Sequence, residues 1–188
     1  ILAVNAPLIV ENMGGSRPCD RQLQEHFARY RIDEYSNNII SASHPRTMGK
    51  ALMRMGFNPD PTYEGDRIVE THNQATQILH FGMERPIRLK SGPIGSRKDA
   101  VARFRDLLQN RLAEGQLQLH QSPEGESLFS AHLPDLNGTR LGELETRLEA
   151  LLSAYSAAWL YASGTDACAM LGDLKYGYIL LPDQLTEG

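Results

Sequence analysis

The stretch Asp66-Arg67-Ile68-Val69-Glu70-Thr71-His72-Asn73 constrains this chain more than any other. Ile68, Val69 and Thr71 are β-branched, and the spacing predicts a short strand over Arg67 to His72. Glu70 sits near the exit of that strand, and Asn73 is placed to cap a helix opening at Gln74. A strand that delivers a carboxylate at its carboxyl end, with a helix leaving at once, is how open α/β sheets build sites. Glu70 is therefore the first candidate for a functional carboxylate; the competing reading is a solvated strand-end side chain. His72 beside it is a further candidate, weighed against an ordinary structural histidine.

Other segments fall in around that strand. Ile1-Leu2-Ala3-Val4 is a continuous apolar run, as in a strand covered on both faces. Asn5 follows it, a second polar group at the carboxyl end of a buried strand, or else a turn residue that bonds nearby backbone. Pro7 weakens regular pairing beyond that point. Ser16 is placed to cap a helix whose stripe is Leu23, Phe27 and Tyr30. Arg17 and Asp20 at its start can face the site, although Asp20 also suits the helix dipole. Tyr35 to Ser43 reads as a loop. His44-Pro45 opens a helix with Met48, Leu52 and Met55 inward and Gly56 as its stop.

The short helix after Asn73 turns Ala75, Ile78 and Leu79 inward and closes at Gly82. Ser96 and Asp99 resemble a capping box ahead of a stripe of Val101, Phe104, Leu107, Leu108 and Leu112, with Gly115 as terminator. Residues 116–140 show no clear period and read as an irregular connector. Leu141 to Ala162 is the longest expected helix, with Glu145 and Glu149 one turn apart on the flank of its apolar stripe. A cation between them, water exposure or a nearby Arg would each offset their repulsion. A final strand runs over Tyr178 to Leu181.

The totals narrow the classes. The chain has 188 residues and a formal net charge of -4, which predicts one soluble domain over 1–188, or one domain with an insertion, and argues against a sequence-blind nucleic-acid binder. Arg85, Arg88, Lys90, Arg97 and Lys98 make one local basic patch; Lys90 and Arg88 can hold phosphates there, or the patch is a solvated loop. Cys19 and Cys168 make neither a metal-spaced pair nor a disulfide framework, so a cytoplasmic, reducing setting is expected. No apolar run is long enough to span a membrane.

Several stretches together resemble a group of predicted nucleases with a ribonuclease H-like fold, catalogued as a domain of unknown function. They are Asn5-Ala6-Pro7-Leu8, Arg17-Pro18-Cys19-Asp20, Glu70-Thr71-His72, Phe81-Gly82, Leu89-Lys90, Ala150 to Tyr161, Gly172-Asp173 and Gly177-Tyr178-Ile179. The resemblance implies a three-layer α/β fold with a mixed central sheet, and a first strand upstream of Ile1. It also implies a metal site for Mg²⁺ or Mn²⁺ built from Glu70, Glu149 and Asn5, with Glu145 nearby. The family carries Asp where this chain has Asn5, and Asp on the last helix where this chain has Glu149. A neutral amide offers an oxygen without charge, which lowers affinity for hard cations.

Two functions follow as expectations. The first is a metal-dependent, nuclease-like phosphodiesterase, weakened or inactive because of Asn5, with Lys90, Arg88, His72 and Arg17 on the substrate. The second is a non-catalytic binding or scaffold protein on the same fold. Nucleic acid and a second copy of the chain are the partners open to it; a membrane is not.

Overall fold

The computed structural model describes residues 1–33, 36–114, 117 and 122–183 of a mixed α/β chain. The chain divides into two compact units, one over Ile1–Pro86 and Ser153–Gly188 and the other over Ile87–Leu152.

The first unit holds all four strands. β1 (Leu2–Val4) and β2 (Ile68–Glu70) pair in parallel with Val4 opposite Glu70. β3 (Cys168–Asp173) and β4 (Gly177–Pro182) form an antiparallel hairpin. Among the described residues these remain two two-stranded sheets rather than one continuous sheet. The reason lies at the outer edge of β2, where the Ile68 N–H is taken by Asn58 O at 2.9 Å. The hairpin meets β2 through a side chain instead, the Tyr178 hydroxyl donating to Pro59 O at 2.6 Å and reaching Ile68 O at 3.4 Å. Among the described residues β1 pairs with β2 alone; Leu2 is exposed and Ala3 and Val4 are half-buried, so the strand is not covered on both faces.

β4 is the spine of this unit. Its side chains alternate between two apolar clusters, as period-2 geometry requires. Ile179 and Leu181 pack with Ala169 and Leu171 of β3, with Cys19, Leu23 and Phe27 of α1 (Pro18–Phe27), and with Ala75 and Ile78 of α3 (Asn73–Leu79). Tyr178 and Leu180 pack with Val69 of β2 and with Leu160. The final strand, read over Tyr178 to Leu181, is therefore buried on both faces. β3 has no counterpart in the sequence reading, because Cys168 to Asp173 carries neither a β-branched run nor clean alternation.

Helix starts differ from expectation in instructive ways. α1 is capped at Arg17, not Ser16, because Asp20 in its first turn accepts the Arg17 N–H at 3.1 Å. α3 is capped at His72, not Asn73: the ring Nδ1 accepts the Ala75 N–H at 3.2 Å. α2 (Ser43–Arg54) ends before Gly56, whose φ of 105° provides the expected left-handed stop. Met55 of the expected apolar stripe is exposed, while Met48 and Leu52 are half-buried.

In the second unit, α4 (Ile94–Glu114) begins ahead of Ser96, so the expected capping box lies inside the helix. Its stripe of Val101, Phe104, Leu108 and Leu112 is buried. Gly115, read as the terminator, lies outside the described residues. The region read as an irregular connector contains α5 (Pro123–Ser130), capped by Ser122 Oγ on Gly125 N–H at 3.1 Å. α6 (Gly138–Ser163) is the longest helix, and Leu141, Leu144, Leu148 and Leu152 are its buried stripe.

α2 approaches the backbone of residue 8 so closely that a Cβ on Gly49 would lie 2.7 Å from Leu8 O. Replacing a helical Gly by Ala ordinarily gains about 1 kcal/mol. Here overpacking against backbone, roughly 1–3 kcal/mol, opposes it and is the larger effect. Gly49→Ala is expected to lower the urea midpoint at unchanged slope; a raised midpoint would show that α2 can slide away.

Candidate functional site

The parallel register places Val4 and Glu70 side by side, so Asn5 and Thr71 leave the two strands at the same end. That is the end at which open α/β sheets hold ligands. A pocket of about 280 Å³ opens there. Its lining joins three segments far apart in sequence: Asn5, Ala6 and Pro7; Arg17 and Asp20; and Glu70, Thr71 and His72. Leu23, Gln24, Asp33, Asn37, Gln74 and Ile179 complete it.

Arg17 is the hub of one wall. It is 1% exposed, and all five of its N–H groups have acceptors. Nη1 donates to Glu70 Oε2 at 2.8 Å and to Ile9 O at 3.1 Å. Nη2 donates to Glu70 Oε1 at 2.6 Å and to Asp20 Oδ1 at 2.8 Å. Nε donates to Asp20 Oδ2 at 3.1 Å. Glu70 also accepts the Leu8 N–H at 2.9 Å, and Asp20 accepts the Asn37 amide at 3.1 Å. Burial opposes the charge on Arg17, yet the hydrogen bonds and charge of Glu70, joined by Asp20, raise its pKa above the ordinary range. Burial pushes the Glu70 carboxyl up, against the downward pull of Arg17 and the Leu8 N–H.

Gly177 shows how tightly this hub is enclosed. A Cβ there would meet Ile9 O at 2.4 Å and Arg17 Nη1 at 3.0 Å, and its φ of 99° favours glycine. The turn before β4 is thus shaped by the buried guanidinium.

The other side of the pocket carries hydrogen-bonding groups. Asn5 Oδ1 accepts the Asn73 N–H at 3.1 Å, which ties the end of β1 to the start of α3. Gln74 and Asp33 clasp each other, Asp33 N–H on Gln74 Oε1 at 2.7 Å and Gln74 Nε2 on Asp33 Oδ2 at 2.5 Å. Burial lowers the His72 pKa to about 4 despite the charges of Asp33 and Asp20, so the ring is neutral at pH 7. Because Nδ1 accepts a backbone N–H, the neutral ring carries its proton on Nε2. The Thr71 hydroxyl is buried and has no hydrogen-bond partner among the described residues.

Glu145 and Glu149 belong to the second unit, and each has its own cation there. Glu145 is fully buried, not on the flank of its helix, and accepts Arg97 Nε at 2.8 Å and Nη2 at 2.5 Å. Glu149 accepts Lys90 Nζ at 2.6 Å. The nearby cations allowed for in the sequence are thus what offsets the repulsion of these carboxylates. Much of the basic patch is spent in the process, with Lys98 donating to Pro134 O at 2.8 Å; Arg88 is exposed.

The oxygens read as metal ligands therefore already accept hydrogen bonds from Arg17, Leu8, Asn73, Arg97 and Lys90. Among the described residues no group of three His, Cys, Asp or Glu side chains is gathered to hold a metal ion. As arranged, Glu70 does not fit Mg²⁺ or Mn²⁺, because both its oxygens face a guanidinium instead of a hard cation. The thiols offer no nucleophile: burial pushes Cys19 up to about 12 and Cys168 to about 11.

Sequence reasoning named Asn5, Arg17, Glu70 and His72, and the fold brings these four to one pocket. It missed Thr71, Asp33 and the pairing role of Asp20. An Arg three residues before an Asp at a helix start was the available signal for the last. No family model, curated protein or solved structure matches this chain.

Removing Arg17 would leave two buried carboxylates facing each other. Arg17→Met is expected to cost about 3–5 kcal/mol in urea unfolding, and Arg17→Lys to recover only part of it, since an ammonium cannot bridge both carboxylates as a planar fork does. Equal stability of wild type and Arg17→Met would remove the hub from this account.

His72 gives a pH signature. Its folded pKa of about 4 lies below the ordinary 6.5, so the unfolded chain takes the proton more readily. The stabilising term is whole above about pH 6.5 and is lost as pH falls towards 4, on the order of 3 kcal/mol in full. His72→Asn keeps a capping acceptor and removes the titration. Urea midpoints measured from pH 7 downward are expected to fall more steeply in wild type than in His72→Asn, and parallel curves would contradict the assignment.

Proposed function

We propose that the protein binds a small polar ligand in the pocket at the carboxyl ends of β1 and β2, on a ribonuclease H-like architecture. The observation that carries this reading is convergence. Three of the stretches that resemble the nuclease family, separated by up to 65 residues, line one pocket. A volume near 280 Å³ is at the small end for ligand sites and suits a compact molecule better than a polymer strand.

The groups at hand favour binding over chemistry. Glu70 and Asp20 are held by Arg17, Leu8 N–H and Asn37, and His72 is neutral with Nδ1 taken by a backbone N–H. Cys19 and Cys168 are both buried and form no disulfide among the described residues, in keeping with the reducing, cytoplasmic setting proposed here. No described helix is long and apolar enough to cross a membrane.

Convergence of the same stretches also favours a second reading, the metal-dependent phosphodiesterase that the resemblance implies. It requires Arg17 to release Glu70. The two readings separate in one pair of measurements on the full chain. Nuclear magnetic resonance with a library of small polar fragments is expected to move the backbone amides of Ala6, Thr71 and Gln74. Fluorescent single-stranded DNA and RNA, with Mg²⁺ or Mn²⁺, are expected to stay intact. Cleavage that disappears in Glu70→Gln would replace the first reading with the second, and fragments that move only distant amides would end the first.

A further inference from the structure

The Arg17 guanidinium is a cation enclosed by oxygen. Five oxygens from three separate segments face it at 2.6–3.1 Å: Ile9 O after β1, both carboxylate oxygens of Asp20 in α1 and both of Glu70 on β2. The two carboxylates are themselves pinned, Glu70 by the Leu8 N–H at 2.9 Å and Asp20 by the Asn37 amide at 3.1 Å. Outer hydrogen bonds of this kind orient the oxygens that surround a cation.

The fold is closed around that charge. Arg17, Asp20 and Glu70 are 1%, 3% and 4% exposed. At the turn before β4, a Cβ on Gly177 would lie 3.0 Å from Arg17 Nη1 and 3.4 Å from its Cδ, so the backbone there leaves the guanidinium no slack. Hard divalent ions take carboxylate oxygens at roughly 2.0–2.6 Å. An ion on the Glu70 oxygens would therefore share its place with the positive charge of Arg17. It enters only if Arg17 leaves, and unpairing a buried charge costs the entering ion roughly a hundredfold or more in affinity.

We infer that Arg17 is the built-in cation of this pocket: on Glu70, where the resemblance to the nuclease family implies Mg²⁺ or Mn²⁺, its guanidinium takes the ion's place, and its charge keeps divalent metals out. The pocket is then independent of metal, in disagreement with that resemblance at a named residue. The inference does not rest on the small-ligand reading. A cation place filled by Arg17 and a ligand beside it are compatible, and different signals test them.

The test adds Mn²⁺ to the full chain at about pH 8, where protons compete little with metals for carboxylates. It follows paramagnetic broadening of the Leu8 and Thr71 amide signals. In wild type these signals are expected to stay sharp at concentrations that broaden them in Arg17→Ala, where truncation opens the oxygens of Glu70 and Asp20 to the pocket those residues line. Arg17→Ala is expected to bind Mn²⁺ about a hundredfold tighter than wild type at this place. Mn²⁺ is expected to raise the Tm of Arg17→Ala and to leave that of wild type unchanged. Adding Glu70→Gln to Arg17→Ala is expected to abolish both effects. Arg17→Lys keeps a positive charge in place and is expected to exclude Mn²⁺ as wild type does, so the exclusion stays readable if Arg17→Ala does not fold. Broadening of Leu8 and Thr71 in wild type as strong as in Arg17→Ala, or Mn²⁺ entering a folded Arg17→Lys, would overturn the inference. So would a folded Arg17→Ala that ignores Mn²⁺, because its oxygens would then frame a guanidinium and nothing smaller.

Discussion

The guanidinium of Arg17, closed between the carboxylates of Glu70 and Asp20, is the contact on which the rest of the first unit depends. A buried charge is tolerable only when it is paired and fully hydrogen-bonded. Here each donor of Arg17 has an acceptor, and the acceptors come from the segment after β1, the first turn of α1 and the end of β2. Leu8 N–H and Asn37 add the next layer of bonds. Segments with little regular secondary structure are thereby fixed to one point. Removing the ion pair would free the backbone that shapes the pocket, as well as unpairing two acids.

That saturation also sets what the site can do. A carboxylate held by a guanidinium and a backbone N–H is a frame, and hard divalent ions would have to compete with it. On the proposed reading the part played by the pocket is recognition, by side-chain amides against a small apolar wall. The second unit repeats the pattern with other residues, Arg97 on Glu145 and Lys90 on Glu149, so the basic and acidic features that stand apart in the sequence consume one another.

Much of the fold was legible from periodicity. The stripes of α1, α4 and α6, the strand at Ile68 to Glu70 and the run ending in Leu181 follow from apolar spacing, which is a local property. β3 was not legible, since its order comes from pairing with β4 and not from its own composition. α5 lacked a long stripe and was hidden among Gly, Pro and Ser. Helix caps were read one residue away from where they lie at Arg17 and His72, because side chains not usually counted as caps satisfy the first-turn N–H groups. In the candidate site, Asn5 and Glu70 were legible as polar residues at strand ends. Thr71 was not, because a β-branched residue in a strand reads as packing.

By itself the sequence determined the long helices, the strands at Ile68 to Glu70 and Tyr178 to Leu181, most of the apolar faces, and that Asn5 and Glu70 stand at carboxyl ends of strands. Those properties depend on neighbours within a few residues and are written in local spacing. Only the tertiary structure decided which charge meets which. Arg17 and Glu70 lie 53 residues apart, and Arg97 and Glu145 lie 48 apart. Coulomb attraction carries no sequence period, so the same acids are compatible with water, a metal or an arginine until the chain closes. Folding put arginines against Glu70 and Glu145.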